Sequence, residues 1–205
     1  MARLSCKTCQ RPVSVCFCSR VVRQQNRWPV HIIQDRQESS HALGTARIAA
    51  LSLSNCSLIS VDPDKPSTDS FDTIQALRAA QPVLIYPGEQ AQDLTNLSEQ
   101  PVSPLIFIDA SWRRSRKFLH LFSWLAELPR YSWQATMPSR YRIRRQPGPD
   151  ALSTLEAIVH TLETLEHPAG KLNSMLETMD WVMDQQIRYM GADVYQSNYQ
   201  NKGYK

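Results

Sequence analysis

Long apolar runs are missing from this sequence. No stretch of about 18 consecutive apolar residues, the length that a helix needs to cross a bilayer, occurs in its 205 residues. The N-terminus, Met-Ala-Arg-Leu-Ser-Cys, lacks the hydrophobic segment of a signal peptide. We therefore expect a cytoplasmic protein without membrane association. The glycine motifs G-x-G-x-x-G and G-x-x-x-x-G-K-[ST] are absent as well, so nucleotide cofactors of those types have no support.

The net charge is small, but it is unevenly distributed along the chain. The whole sequence carries +4 at pH 7, whereas the segment from Arg113 to Arg145 has nine Lys or Arg and one acid, Glu127. That segment therefore carries +8 and the remainder −4. Such segregation favours a polyanionic partner. A solvated basic face without a ligand is the alternative.

Four of the five cysteines fall within thirteen residues near the N-terminus, and Cys56 is expected to be a small core residue. The four form the pattern C-x2-C-x6-C-x-C, with Cys6, Cys9, Cys16 and Cys18. Four thiolates can close a tetrahedral Zn²⁺ site that stabilises a short segment without its own core. Two disulfides are the competing interpretation, but a chain without a signal peptide is expected to stay reduced. We predict a structural zinc segment over residues 1–28.

Residues 29–191 alternate between strand and helix patterns. This alternation predicts an α/β fold with a largely parallel sheet and flanking helices. Strands are predicted at 30–34, 57–61, 82–88, 105–108 and 131–135, and helices at 43–55, 71–80, from Trp112, from Leu152 and over 172–190. Residues 89–103 are predicted as loop and the polar residues 192–205 as a disordered tail.

The predicted strand from Leu105 to Ile108 is followed at once by a carboxylate, Asp109. Parallel α/β sheets bind ligands at the carboxyl ends of their strands. Asp109 is therefore a candidate site residue, although Asp109 or Ser111 could instead cap the next helix. On that helix Trp112 is expected to pack in the core, with stacking on a base as the alternative. Arg113, Arg116, Lys117 and His120 form a cationic stripe on another face.

Two further stretches have residue patterns that indicate a structural or a binding role. Ser153 and Glu156 form a capping box at the start of a helix. Residues 139–145, Ser-Arg-Tyr-Arg-Ile-Arg-Arg, interleave aromatic, apolar and cationic side chains. Such interleaving suits phosphate contacts together with stacking on a base. An exposed edge strand with arginines on its solvent face is the alternative.

The string Asp109-Ala110-Ser111-Trp112 resembles the Asp-x-Thr-Trp signature of the DTW-domain family, with Ser111 in place of Thr. Other motifs similar to those of the family occur in the same order: the cysteine cluster, Tyr86-Pro87-Gly88, Trp124–Pro129, Ser139–Arg145 and Leu152–Glu156. One stretch departs from the family pattern. Gln34-Asp35-Arg36 stands where the family often has Gln-His-Pro, whereas Glu38, His41, Gly44, Thr45 and Ala46 match the usual continuation.

The resemblance implies an activity. DTW-domain proteins are tRNA-uridine aminocarboxypropyltransferases related to the SPOUT class of knotted RNA-modifying enzymes. They move the 3-amino-3-carboxypropyl group of S-adenosylmethionine to N3 of a tRNA uridine and release methylthioadenosine. For this chain the resemblance implies a SPOUT-like fold, tRNA as partner, S-adenosylmethionine as group donor and zinc as structural metal.

The resemblance also implies roles for individual residues. Asp109 would hold the uridine or the ammonium of the donor. The implied catalytic residues are Asp109, Ser111 and Trp112, and the implied cofactor-binding residues are Tyr86, Pro87, Gly88, Leu128, Ser153, Thr154 and Glu156. The implied RNA-binding residues are Arg113, Arg116, Lys117, Arg140, Tyr141, Arg142, Arg144 and Arg145.

Two rival functions stay open. One is an RNA methyltransferase that uses the same donor, and the other is a zinc-containing RNA-binding protein without catalytic activity.

Overall fold

Six strands of the described chain form a sheet in which every hydrogen-bonded pair of neighbours is parallel. The computed structural model describes residues 4–39, 43–134, 138–143 and 152–200. The strands are β1 Val30–Asp35, β2 Cys56–Val61, β3 Val83–Ile85, β4 Gln92–Asp93, β5 Leu105–Asp109 and β6 Arg130–Ser132. Their order across the sheet is β2-β1-β5-β3-β6-β4. The predicted α/β fold with a parallel sheet is confirmed, while its relation to knotted SPOUT enzymes stays a prediction.

Eight α-helices connect and cover the strands within the described part of the chain. They are α1 Arg36–Ser39, α2 Thr45–Ser52, α3 Thr68–Leu77, α4 Trp112–Leu121, α5 Ser123–Glu127, α6 Thr154–Leu165, α7 Asn173–Met190 and α8 Ala192–Tyr195. None of the described helices is both long enough and apolar enough to cross a membrane.

The two faces of the sheet are covered by different helices. Alternate residues of a strand point to opposite faces, so Ile32 and Phe107 pack with α2, α6 and α7. Ile33 and Ile106 pack on the other face with α3, α4 and α5. The strands β1 and β5 are apolar on both faces because both faces are covered. This three-layer arrangement places the carboxyl ends of β1 and β5 side by side, where Gln34 is in register with Asp109.

The N-terminal cysteine segment is attached to the α2–α6–α7 face. Phe17 and Trp28 are almost completely buried in the same hydrophobic cluster as those helices. The Gln24 amide donates to the Ser52 carbonyl at 2.7 Å, and the Thr178 hydroxyl donates to the Arg20 carbonyl at 3.1 Å. The segment therefore shares a core with the sheet. The division of the chain at residue 28 stays a prediction.

Some element boundaries differ from those that the sequence pattern predicts. The helix α3 begins at Thr68 because the Ser67 side chain accepts a hydrogen bond from the Ser70 amide at 3.3 Å. Residues 89–103 contain β4 and a 3₁₀ helix, Leu94–Glu99, instead of loop alone. The predicted tail is helical where it is described, with α8 followed by a π-helix over Gln196–Gln200. Tyr195 and Tyr199 stack there with ring centroids 5.9 Å apart.

Candidate active site

Asp109 ends β5 and is only 5% exposed. Its two carboxylate oxygens accept hydrogen bonds from different elements. The Gln34 side-chain amide on β1 donates to Oδ2 at 2.8 Å, and the Thr154 hydroxyl at the start of α6 donates to Oδ1 at 2.5 Å. The N-cap of α4 is Ser111, whose side chain makes no capping hydrogen bond. The alternative that Asp109 or Ser111 caps α4 through its side chain is therefore wrong.

The Asp109 carboxylate has no cationic partner among the described residues, since both of its hydrogen-bond donors are neutral. A buried carboxylate favours the approach of a positive charge or of an N–H donor, because that contact compensates the loss of hydration. The two fixed donors hold the carboxylate in a single orientation. The site can therefore bind an ammonium group or orient an imide N–H.

A group of aromatic and cationic side chains lies at the same end of the sheet. The Tyr86 hydroxyl is 2.7 Å from the Ser115 hydroxyl, and the Tyr86 ring meets Trp112 edge to face with centroids 5.7 Å apart. The Arg130 guanidinium carbon lies 5.4 Å from the centroid of the Tyr86 ring. Trp112 is 45% exposed, so the prediction that it packs in the core is wrong. It is the first residue of α4 and meets Tyr86 at the carboxyl ends of the strands, where its ring is partly open to solvent.

Gly88 follows Tyr86 and Pro87 in the loop after β3. Its φ of +155° suits glycine, and a Cβ at this position would lie 3.1 Å from an Arg130 side-chain nitrogen. Pro87 and Gly88 are exposed, and Leu128 is half-buried. The backbone of this loop is therefore accessible to a ligand, as cofactor binding by these residues requires.

The predicted capping box at the start of α6 is confirmed. The Glu156 amide donates to the Ser153 hydroxyl at 3.3 Å, and the Ser153 amide donates to the Glu156 carboxylate at 2.7 Å. The same carboxylate also accepts from the Ser139 hydroxyl at 2.8 Å and from the Arg140 amide at 2.6 Å. Glu156 thus ties residues 138–143 to α6. Thr154 directs its hydroxyl to Asp109, and binding of cofactor by these residues stays a prediction.

An ion-pair network that the sequence pattern did not predict lies next to Asp109. Asp35 ends β1 and is completely buried, and both of its carboxylate oxygens accept hydrogen bonds from Arg114 of α4. Arg114 also contacts Asp64 at 2.9 Å and Asp62 at 3.4 Å. The hydrogen bonds that Arg114 donates to Asp35 and Asp64 raise the pKa of Arg114. Asp35 stands where the family often has His, so a buried ion pair occupies that position here.

The predicted cationic stripe on α4 is exposed. Arg113, Arg116 and Lys117 all lie on the surface, and Lys117 donates to Asp64 at 2.5 Å. The hydrogen bonds from Lys117 and Arg114 hold the pKa of Asp64 below its ordinary value. Arg113 and Arg116 make no ion pair with a described residue. Contact of these three side chains with RNA stays a prediction.

Residues 138–143 hold their arginines against α7. Arg140 pairs with Asp180, and Arg142 donates to Asp184 at 2.7 Å. Both arginines are about 40% exposed, and such surface pairs contribute little to stability, so they can exchange partners with phosphate. Tyr141 is 6% exposed and donates to the Leu43 carbonyl at 3.4 Å, so its predicted stacking on a base is wrong. The described part of this stretch forms no strand, and Arg144, Arg145 and His41 lie outside the described residues.

The four N-terminal cysteines converge, and their Sγ atoms all lie within 4.8 Å of one another. The Cys6–Cys18 and Cys9–Cys16 Sγ distances are 3.7 and 3.6 Å. A tetrahedral Zn²⁺ with Zn–S bonds of about 2.3 Å requires S–S separations of about 3.8 Å. All four thiols are free, so the structure does not contain the alternative disulfides. The predicted metal-binding arrangement is present.

The thiols of this cluster differ in acidity. Hydrogen bonds from the Cys9 and Thr8 backbone lower the pKa of Cys6 to about 6. Burial and the neighbouring thiols raise the pKa of Cys18 to about 12. A metal would favour the thiolate form of all four residues, because the thiolate is the species that binds it.

Three site residues were missed by sequence reasoning: Gln34, Asp35 and Arg114. A signal for the first two exists, because both are polar and end an apolar strand, the position where Asp109 was recognised. Arg114 carries no such signal. It differs from its neighbours Arg113 and Arg116 only in the face of α4 that it occupies.

Comparison with known proteins gives a consistent result. The profile of the DTW domain matches residues 3–187. The tRNA-uridine aminocarboxypropyltransferase 2 of Mus musculus is 29% identical over 185 residues, which cover 86% of this chain and 60% of that protein. The Drosophila melanogaster protein of the same name is 28% identical over 170 residues, covering 80% and 67%. The chain thus spans about three fifths of the length of the mouse relative. No solved structure matches it.

Proposed function

The chain belongs to the DTW-domain family, and from this membership and the geometry around Asp109 we propose that it modifies uridine in tRNA. The reaction transfers the 3-amino-3-carboxypropyl group of S-adenosylmethionine to N3 of the uridine. One C–S bond of the sulfonium breaks, a C–N3 bond forms, and the N3 proton passes to solvent. The products are the aminocarboxypropyl uridine and methylthioadenosine. The names of the mouse and fly relatives support this reaction class.

The observation that carries the proposal is the buried Asp109 carboxylate, fixed by two neutral donors at the carboxyl end of the strand β5. A carboxylate is a far weaker base than the anion of a uridine imide, so it does not remove the N3 proton completely before attack. One role for Asp109 is to orient the N3–H and to stabilise the positive charge that develops there as the C–N3 bond forms. The other role is to hold the ammonium group of the donor.

The donor is proposed to bind beside Asp109, between the loop after β3 and the start of α6. Gly88 leaves the backbone of that loop accessible, and Trp112 offers an exposed aromatic surface next to Tyr86. The α6 N-terminus carries a partial positive charge that favours a carboxylate. The donor supplies the electrophilic carbon. Its position relative to N3 decides which of its groups is transferred.

The cysteine cluster is proposed to hold one structural Zn²⁺. Four thiolates leave the metal no open position, so it does not take part in the reaction. Purified protein is expected to contain one zinc per chain, and Cys9→Ser is expected to lose it, as measured by elemental analysis. A folded, active, metal-free protein would contradict this assignment.

Nucleoside mass spectrometry tests the reaction directly. Protein, unfractionated tRNA and S-adenosylmethionine are incubated, and the tRNA is then digested to nucleosides. Aminocarboxypropyl uridine and methylthioadenosine, in equal amounts, are the expected products. Methylated uridine with S-adenosylhomocysteine would establish a methyltransferase instead. Unchanged tRNA that nevertheless binds the protein tightly would indicate RNA binding without catalysis.

A further inference from the structure

A cavity of about 930 Å³ separates the N-terminal cysteine segment from α2 and α7. It is lined by Gln34, Arg11, Arg47 and Tyr189, among other residues. None of the described residues that line it is an aspartate or a glutamate. Its volume lies at the upper end of the range of about 300–1,000 Å³ that is usual for sites binding small organic molecules.

Arg11 is buried in the wall of this cavity, close to the Cys9 and Cys16 thiols. The residue is 9% exposed, and neither Nε nor Nη1 has a hydrogen-bond acceptor among the described residues. A buried guanidinium with unsatisfied N–H groups favours an anion that can accept hydrogen bonds from them. Arg47, which is half-buried, likewise makes no ion pair with a described residue. Two guanidinium groups therefore favour an anionic ligand in this cavity.

The start of α2 adds to the same preference. Gly44, its N-cap, lines the cavity, and the first turn of the helix contains no acidic residue and receives no capping side chain. Free amide groups at a helix N-terminus carry a partial positive charge. The helix therefore adds to the attraction of an anion but does not create the site by itself.

Gln34 connects the cavity to Asp109. Its side-chain nitrogen donates to the Asp109 carboxylate at 2.8 Å, which fixes the orientation of the amide, because a carboxylate only accepts. The side-chain oxygen of Gln34 is left without a partner among the described residues, although the residue is 1% exposed. This oxygen can accept an N–H of a ligand. A ligand bound to this oxygen would then be separated from the Asp109 carboxylate only by the Gln34 side chain.

Two observations favour nucleic acid as the source of the anion. Tyr189, which lies on α7 and lines the cavity, is 67% exposed, and exposed aromatic rings stack on unpaired bases. The sequence of residues 1–28, of which part between Cys9 and Phe17 lines the cavity, contains six Lys or Arg and no acidic residue. A free carboxylate would explain the arginines but neither of these features.

We propose that this cavity binds a nucleotide of the RNA substrate, with its phosphate held by Arg11 and Arg47, a base stacked on Tyr189 and a base N–H bonded to Gln34. The inference rests on the proposed function and adds where the RNA enters. The donor lies on the far side of Asp109, by the loop after β3. Asp109 is then adjacent to both substrates, at the place where they must meet directly for the group to pass from one to the other.

Substitutions of surface residues test the pocket without endangering the core. Tyr189→Ala and Arg47→Gln are compared with Tyr199→Ala and Arg78→Gln, which change the same residue types outside the cavity. Affinity for unfractionated tRNA is measured by fluorescence anisotropy over a series of salt concentrations. We expect Tyr189→Ala to weaken binding at least about fivefold, the lower limit for one lost stacked base. Arg47→Gln should weaken binding and reduce the salt slope by about 0.7–0.9, the value of one phosphate contact.

Arg11→Gln is measured in the same way, with zinc content as a second readout. We expect weaker tRNA binding at full zinc occupancy. Loss of zinc by a folded Arg11→Gln protein would make Arg11 a partner of the metal centre and overturn its assignment to phosphate. The control substitutions should leave tRNA affinity within twofold of that of the unchanged protein.

Calorimetry with S-adenosylmethionine separates the two sources of anion. Unchanged donor affinity in the Arg11 and Arg47 variants is expected. Lower donor affinity with normal tRNA affinity would assign the cavity to the donor's carboxylate and overturn the proposal. Normal tRNA affinity in all three cavity variants would also overturn the proposal that the cavity binds RNA, but it would leave the proposed function intact. If the unchanged protein neither binds nor modifies tRNA, the proposed function itself fails.

Discussion

Two buried carboxylates end neighbouring strands of the sheet, and they differ in their partners. Asp35 at the end of β1 is completely buried, and both of its carboxylate oxygens accept hydrogen bonds from Nε and Nη2 of Arg114. Asp109 at the end of β5 is nearly as buried but is held by an amide and a hydroxyl. The charge of Asp35 is compensated by Arg114, whereas no described residue places a cation on Asp109. Similar burial therefore gives a structural ion pair in one strand and a candidate site in the next.

The sharpest way to test this difference is Asp109→Asn. Asparagine keeps the size but removes the charge, so we expect product formation to fall by about 10³-fold, within the range for a lost acid–base group. Thermal stability should change little, because no ion pair is broken. The measurement is nucleoside mass spectrometry together with thermal denaturation. Near-normal activity in the folded variant would contradict the role of Asp109.

Donor affinity then separates the two roles that remain for Asp109. Calorimetry with S-adenosylmethionine is performed on Asp109→Asn and on the unchanged protein. Weak binding would mean that the carboxylate holds the ammonium. Normal binding with slow turnover would mean that it acts on the uridine.

Asp35→Asn, in contrast to Asp109→Asn, is expected to reduce stability strongly. It leaves the largely buried Arg114 guanidinium with only the half-buried Asp62 and the exposed Asp64 as ion-pair partners among the described residues. We expect a loss of about 3 kcal/mol in the free energy of unfolding, the lower end of values for broken buried pairs. Urea denaturation measures it. The matched double variant Asp35→Leu with Arg114→Met should recover most of this loss, and failure to recover would show that the pair is not the cause.

Thr154→Val removes one of the two donors to Asp109 at constant volume. We expect about a tenfold loss of activity, because a hydrogen bond to a charged group is lost and the carboxylate is less well oriented. Thr164→Val is the control, since the Thr164 hydroxyl donates only to the His160 carbonyl within α6 in the described structure. Equal activity of the two variants would show that Thr154 does not orient Asp109.

The smallest effect concerns Asp64, an exposed partner of the Arg114 network. Lys117 and Arg114 lower its pKa from the ordinary value of 3.8. A lowered pKa in the folded state contributes stability above the ordinary pKa, and this contribution is lost as the pH falls through the lower, folded value. When the pH falls from 5 to 3, the melting temperature of Asp64→Asn should therefore decrease less than that of the unchanged protein. An identical loss in both proteins would contradict the ion pair.

Local patterns in the sequence determined much of the fold. The apolar run before Asp109 predicts β5 because it fits a strand covered on both faces. The pair Ser153 and Glu156 predicts the start of α6 because a capping box needs only four consecutive residues. The cysteine cluster is equally local, since its members lie within thirteen residues. The interactions that these patterns encode are short in sequence, so they do not depend on how distant elements pack.

The tertiary structure decided the partners of these residues. Trp112 is exposed and Tyr141 is buried because of the distant elements that do or do not cover them, and no spacing along the chain records those contacts. Arg114 differs from Arg113 only because α4 turns it toward Asp35. Gln34, Asp109 and Thr154 are separated by 75 and 45 residues, and parallel pairing of β1 with β5 brings the first two into register. A contact between such distant residues forms only when the intervening elements have packed, which is why the sequence identified Asp109 but not the side chains that hold it.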